Sequence, residues 1–137
     1  MKAKWAAGPR TYLGLQAAGF PNLFTLIGPH SAALFCNMTR CIEQNLEFVV
    51  APLAYMRTRG KLRAEPAVPA EAEWTAHVHE VAARMLFTRV DSWMTGVHSA
   101  VKHARGRTAM VYAGGAPRFR EHCEEVAAAG YAGFELR

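Results

Sequence analysis

Apolar side chains in this 137-residue chain gather in stretches with helical spacing, separated by segments rich in glycine and proline. Residues 8–22, with Gly8, Pro9, Gly14, Gly19 and Pro21, read as irregular chain with turns. The run Leu23-Phe24-Thr25-Leu26-Ile27 is short, apolar and bracketed by Pro21-Asn22 and Gly28-Pro29, which predicts a buried strand. Ser31 is a candidate helix cap. Beyond it Leu34, Met38, Cys41, Ile42, Leu46, Val49, Leu53 and Met56 recur three or four apart, which predicts a long helix over residues 32–59. Pro52 lacks a backbone donor and crowds the carbonyl four residues earlier, so a kink or an end is expected near Ala51, with Gly60 as the stop.

Residues 61–70, with Pro66 and Pro69, read as a connector. A second helix is predicted over residues 71–87, with Trp74, Val78, Val81 and Met85 on one stripe and acids in the first turn. Residues 88–116 hold no sustained period. A third helix is predicted over residues 117–129, with Pro117 near its start, Phe119, Cys123 and Val126 facing inward, and Gly130 just past its end. The last seven residues read as extended. Strand, tight turn, long helix, second helix, irregular loop and third helix together describe a small α/β fold that is mainly helical.

Length allows one ordinary domain and excludes two. The apolar fraction of 51% includes 25 alanines, and Leu, Ile, Val and Phe together number 29, near the lower edge for a globular chain. The longest apolar run, residues 48–54, falls far short of the roughly 20 residues of a membrane span. The N-terminal lysines precede no apolar core of a secretion signal, so a cytoplasmic location is expected. There Cys36, Cys41 and Cys123 are expected to remain thiols.

The net charge of +5 is uneven: Arg57, Arg59, Lys61 and Arg63 cluster, and residues 92–120 contain no acid. Such stretches attract phosphate, but aromatic residues do not interleave with them, so a solvated face is preferred over a nucleic-acid-binding surface. No Gly-x-Gly-x-x-Gly occurs, so no complete dinucleotide site is encoded. His77 and His79, two apart on a helix, diverge and cannot share an ion, and no metal site is expected. Asn37-Met38-Thr39 matches a glycosylation sequon by chance within a predicted helix. The strand-to-helix junction Gly28-Pro29-His30-Ser31 is the most informative local feature: a helix N-terminus offers free amides and partial positive charge to a phosphate or an electron-rich heterocycle edge, and the pattern alone is equally met by a Gly-Pro that only makes the turn.

A series of sequence words carries a resemblance over nearly the whole chain. In order they are Gly8-Pro9-Arg10-Thr11-Tyr12-Leu13-Gly14-Leu15, Gly19-Phe20-Pro21-Asn22-Leu23-Phe24, Gly28-Pro29-His30-Ser31, Ile42-Glu43-Gln44, Ala54-Tyr55-Met56, Ser92-Trp93-x-x-Gly96, Tyr112-x-Gly114-Gly115 and the closing Arg120-x-x-Cys123-x-Glu125-Val126 to Gly133-Phe134. They resemble the C-terminal part of the Baeyer-Villiger monooxygenases of the phenylacetone and cyclohexanone monooxygenase type, within the flavin-containing monooxygenase superfamily. The resemblance implies an enzyme that binds FAD, takes hydride from NADPH and inserts oxygen beside a ketone carbonyl. It implies that residues 1–137 are a C-terminal fragment whose predicted strand belongs to the FAD domain's sheet. The family's cofactor fingerprints and catalytic arginine lie upstream of the matched part, so no catalytic residue is expected here.

By the same resemblance Gly28, Pro29, His30 and Ser31 would face the flavin, and Ala32, Ala33, Leu34, Phe35 and Met38 would line the ketone pocket. Trp93 matches the tryptophan of a mobile loop over nicotinamide and substrate, and Lys102 the lysine that ends that loop, near a cofactor phosphate. The chain departs from the family at Ala32, where proline is common, at Met94, where tyrosine is common, and at His98-Ser99-Ala100-Val101-Lys102, where relatives read Asn-x-Pro-Gly-Lys. These departures place the NADP-contacting loop in doubt. FAD and NADP are therefore expected in the full-length family and not in stable complex with this chain alone. The expected partners are a ketone, a missing N-terminal chain, and further copies of the chain through apolar surface. A small helical interaction protein is the alternative, and a basic nucleic-acid-binding module a weaker one.

Overall fold

The computed structural model describes residues 1–32, 36–97 and 106–137. Three helices and a two-stranded sheet make up a mainly helical α/β fold: α1 (Met38–Thr58), β1 (Ala64–Pro66), α2 (Val68–Ala83), α3 (Ala116–Ala128) and β2 (Phe134–Leu136), with 3-10 turns at Leu86–Arg89 and Trp93–Thr95.

Helix α1 starts well after the predicted residue 32. Asn37, extended at φ −61° and ψ 119°, is the cap, and its side chain accepts a hydrogen bond from the Thr39 amide at 3.1 Å. Asparagine is among the strongest capping residues, and here it displaces Ser31, which is buried in the preceding turn. The sequon letters are thus the local chemistry of a helix start. Of the kink or end expected near Ala51 the end does not occur, and the helix continues through Pro52 to Thr58. Phe48, Val49, Pro52 and Met56 are buried along it, so packing on both sides of the proline compensates for the lost backbone bond. Gly60, at φ +63°, supplies the left-handed residue that ends the segment.

Residues 61–70 were expected to connect, yet they contain a strand. β1 pairs antiparallel with β2, with Ala64 opposite Leu136, Glu65 opposite Glu135 and Pro66 opposite Phe134. The ladder is extended by Leu62 and Arg63 amides donating to the Arg137 carbonyl and by the Ala67 amide donating to Gly133. Pairing across so much sequence leaves no trace in local spacing. Helix α2 begins three residues earlier than predicted, with Pro69 in its first turn, and ends at Ala83. Helix α3 agrees within one residue at each end, and Gly130 adopts φ +68° after it.

The predicted strand over residues 23–27 does not form. These residues are irregular or in turns, Ile27 has φ 54°, and Leu23 and Leu26 are exposed. A strand exists through its neighbour's hydrogen bonds, and this segment is instead held chiefly at Thr25, which donates its amide to the Leu15 carbonyl at 2.8 Å and its hydroxyl toward the Gly14 and Leu15 carbonyls. The core joins Tyr12, Leu13 and Leu15 of the N-terminal segment to Phe48 and Val49 of α1, Trp74 and Val78 of α2, and Phe119 and Cys123 of α3.

Candidate functional site

The turn at residues 28–31 is fixed from three sides. A short loop closed by the Tyr12 amide and the Gln16 carbonyl packs against it, and Gly14 (φ +65°) approaches so closely that a Cβ there would lie 2.6 Å from the Ser31 nitrogen. His30, itself at φ 68°, has a fully buried ring. Its Nε2 lies 3.1 Å from the Ala109 carbonyl and its Nδ1 3.0 Å from the Thr11 hydroxyl. A carbonyl can only accept, so the ring is the Nε2–H tautomer, with Nδ1 accepting from Thr11. Burial, reinforced by the nearby His79, lowers the His30 pKa to about 4, so the ring is neutral at pH 7.

The backbone of the same turn is also committed. The His30 amide donates to the Met110 carbonyl at 2.9 Å and the Ser31 amide to the Gly28 carbonyl at 3.2 Å, while the Ser31 carbonyl accepts from Tyr112 at 3.0 Å. The helix N-terminus expected after Ser31 lies instead at Met38, where α1 starts.

The segment that receives these bonds carries the Trp93 loop to the turn. Thr108 donates its amide to the Thr95 carbonyl and Met110 to the Met94 carbonyl, at 3.0 and 2.9 Å. Arg107 closes the base of the loop on Asp91 at 2.7 Å. A reciprocal pair of bonds between Ser92 and Thr95 and a left-handed Gly96 (φ +72°) shape the 3-10 turn that presents Trp93.

Gly28, Pro29, Ser31, Met38 and Trp93 thereby line one cavity of about 210 Å³, with Ile27, Met110 and Val111. Trp93 is 56% exposed and Met38 46% exposed, so both offer free apolar surface. His30 and Ala32 lie in the core beneath it. Ala33, Leu34, Phe35 and Lys102 lie outside the described residues. Met110 and Val111 were not singled out from the sequence, although Met110, Val111 and Tyr112 form an apolar run in a loop otherwise rich in cations. None of the lining residues is ionisable. The site can shelter and orient a flat apolar group, and proton transfer must come from elsewhere. Its volume is below the roughly 300 Å³ of a complete small-molecule pocket, so these residues fit one wall of a flavin or nicotinamide ring and not the whole group.

A larger cavity of about 470 Å³ opens between α2 and α3, against Tyr12, Trp74, His77 and His122. It contains none of the residues expected to face the flavin, the nicotinamide or the ketone. His77 faces His122 with ring centroids 5.1 Å apart, whereas His79 faces His30 at 6.0 Å, so the two histidines diverge. Among the described residues no three potential ligands are placed to hold a metal ion. In the basic run, Arg59 stacks on Tyr55 at 3.6 Å and Arg63 pairs with Glu65 at 2.8 Å. Among the described residues no helix is long and apolar enough to cross a membrane.

No family model matches the chain. It is 41% identical, over 132 residues, to 2-oxo-Delta(3)-4,5,5-trimethylcyclopentenylacetyl-CoA monooxygenase of Pseudomonas putida, a match spanning 96% of this chain and 24% of that protein. It is 36% identical to the methyl acetate-forming acetone monooxygenase of Gordonia sp. (strain TY-5), again over 96% of this chain and 24% of the relative. Among solved structures, the OTEMO complex with FAD and NADP superposes over 100% of this chain and 24% of its own with a TM-score of 0.89 at 41% identity. Cyclohexanone monooxygenase from Rhodococcus sp. Phi1, bound to NADP+, does so over 99% of this chain and 25% of its own with a TM-score of 0.90 at 34% identity. The chain spans about a quarter of the length of the relatives it matches. In sequence and in fold it is similar to a segment of the Baeyer-Villiger monooxygenases.

Proposed function

We propose that residues 1–137 are the C-terminal segment of an FAD- and NADPH-dependent Baeyer-Villiger monooxygenase, and that the segment supplies one wall of the site where a ketone meets the flavin. The cavity that gathers Gly28, Pro29, Ser31, Met38 and Trp93 carries this reading. The flavin, when bound, supplies the oxygen-inserting chemistry. This chain's own residues exclude water with Trp93 and Met38 and present Gly28 and Pro29 to the ring edge. His30 acts beneath them, its neutral ring tying residue 30 to Thr11 and Ala109. Ala33, Leu34 and Phe35 complete the ketone side in this reading, and Lys102 approaches a cofactor phosphate. The setting is the cytoplasm.

Alone, the chain neither holds FAD or NADP stably nor turns over, because it encodes one wall and no dinucleotide fingerprint. The test is complementation. The chain is co-expressed with the N-terminal three-quarters of a close relative, and ketone-dependent NADPH oxidation is measured with and without it. Activity that requires this chain and falls with Trp93→Ala supports the reading; a flavin-loaded complex whose turnover ignores both changes overturns it.

A second observation favours docking to another chain. Met38, Ile42, Leu46, Val50 and Leu53 lie at helical spacing along α1, and all are exposed. An apolar stripe this long on a helix needs a cover. We assign it to the missing N-terminal part, with a second copy of the chain as its substitute when that part is absent.

A further inference from the structure

Asn37 caps α1, which makes Cys36 the residue just before the cap and Cys41 the fourth residue of the helix. These two positions face each other across a first helical turn; in many helices they hold the pair of apolar side chains that pins the entering chain. Here both are cysteine, their Cα atoms are 6.6 Å apart, within disulfide reach, and the two sulfurs meet. The expectation that both remain thiols rested on compartment alone, and the helix start at Met38 adds that the pair is placed to close. Cys36 is partly exposed and Cys41 buried, so reagents reach the pair through Cys36. Arg40 and Arg120 line the same cavity as both cysteines. Cys123 is different: burial on α3 pushes its thiol up to about 12, leaving it inert.

We propose that Cys36 and Cys41 form a reversible dithiol–disulfide site, a covalent staple on the first turn of α1 that hydrogen peroxide closes and a thiol reductant opens. In the closing reaction the Cys36 thiolate attacks one peroxide oxygen, the O–O bond breaks, and the departing hydroxide takes a proton to become water. The Cys41 thiolate then attacks the resulting sulfenic acid at sulfur, forms the S–S bond and expels the second oxygen as water. Two thiols lose two electrons and two protons, and one peroxide becomes two waters. Reduction by an external dithiol reverses the sulfur chemistry through a mixed disulfide. The staple spans Met38, so its state sets how firmly that side chain is held against the cavity it shares with Trp93. The inference stands on the helix start and does not depend on the monooxygenase reading.

The experiment uses the whole chain, reduced, desalted and treated with stoichiometric hydrogen peroxide, then unfolded, alkylated and mapped by peptide mass spectrometry. The expected product links Cys36 to Cys41 and leaves Cys123 alone to be alkylated; reductant restores all three sites. Ring closure should slow about tenfold in concentrated urea, where the helix no longer holds the sulfurs together, and severalfold in Asn37→Ala, which weakens the cap. Cys36→Ser should give no intramolecular link. Three alkylated cysteines after peroxide, links to Cys123 or between chains as the main product, a link that reductant cannot open, or closure equally fast in urea would each overturn the proposal.

Discussion

The Lys4 ammonium lies 2.8 Å from the Glu71 carboxylate, and that carboxylate is almost wholly buried at the start of α2. Its other oxygen accepts the Ala18 amide at 2.8 Å, and Lys4 also donates to the Ala18 carbonyl. One buried acid thus ties the N-terminus, the segment before the 28–31 turn and α2 together. Removing one partner of a buried pair typically costs 3–5 kcal/mol. Lys4 is partly exposed and Arg10 remains 3.9 Å away to compensate, so Lys4→Ala is expected to cost about 2 kcal/mol. Urea unfolding measures it. A coupling below about 0.5 kcal/mol in the Lys4→Ala, Glu71→Gln cycle would show that the pair does not act as a unit.

His30 makes stability depend on acid. Its folded pKa of about 4 lies below the ordinary 6.5, so between those values the unfolded chain binds the proton that the folded chain refuses. The stability this represents is fully present above pH 6.5 and is lost as pH falls toward 4. A shift of that size corresponds to about 3 kcal/mol. His77 and His79 are lowered as well, chiefly by burial, and steepen the same limb. Chemical denaturation at a series of pH values should show the loss, and His30→Gln should flatten it; an unchanged slope in that variant would assign the acid limb elsewhere.

Two glycines with the same sign of φ are expected to differ. A Cβ on Gly14 would lie 2.6 Å from the Ser31 nitrogen, whereas one on Gly60 meets nothing within 4 Å. Gly60→Ala should therefore cost only the left-handed backbone term, about 1 kcal/mol. Gly14→Ala adds a backbone clash that nothing flexible can relieve, and about 2 kcal/mol or more is expected, with displacement of the 28–31 turn. Comparable costs in the two variants would mean that the loop at residues 12–16 does not brace that turn.

These differences also explain what the sequence reveals and what it hides. Periodicity locates α3 within a residue at each end because Pro117, Phe119, Cys123 and Gly130 are local signs. It misplaces the start of α1, since Ser31 and Asn37 are both acceptable caps and only packing chooses between them. That choice also decides whether Cys36 and Cys41 meet. It misses β1, whose partner lies some 70 residues away, and it overstates residues 23–27, whose apolar run finds no neighbouring strand. The site is legible as a set of words, and the structure contributes the hydrogen bonds through residues 108–112 that bring Trp93 to Gly28.

Trp93 and Trp74 separate surface from core. Trp74 is buried against Tyr112 and Phe119, so Trp74→Ala is expected to cost about 3–5 kcal/mol. Trp93 is more than half exposed, so Trp93→Ala should change stability by no more than about 0.5 kcal/mol. Paired thermal and urea unfolding distinguishes the two. A large loss in Trp93→Ala would make that ring a core element and remove it from the cavity's working surface.

The exposed stripe of α1 supports the last prediction. Ile42 and Leu46 sit one turn apart near its centre, on a face beside the one that carries Cys41, Phe48 and Val49, which the fold already buries. A charge on the stripe should therefore leave the intramolecular core untouched while opposing any apolar cover. Leu46→Glu is expected to keep the urea midpoint within about 0.5 kcal/mol of the parent chain, and to shift a concentration-dependent sedimentation profile toward monomer. The same substitution should weaken capture of the chain by the N-terminal part of a relative, since both covers would use one face. A parent chain that stays monomeric at high concentration and binds that part equally well with and without the glutamate would show that the stripe is a tolerated surface and not a docking face.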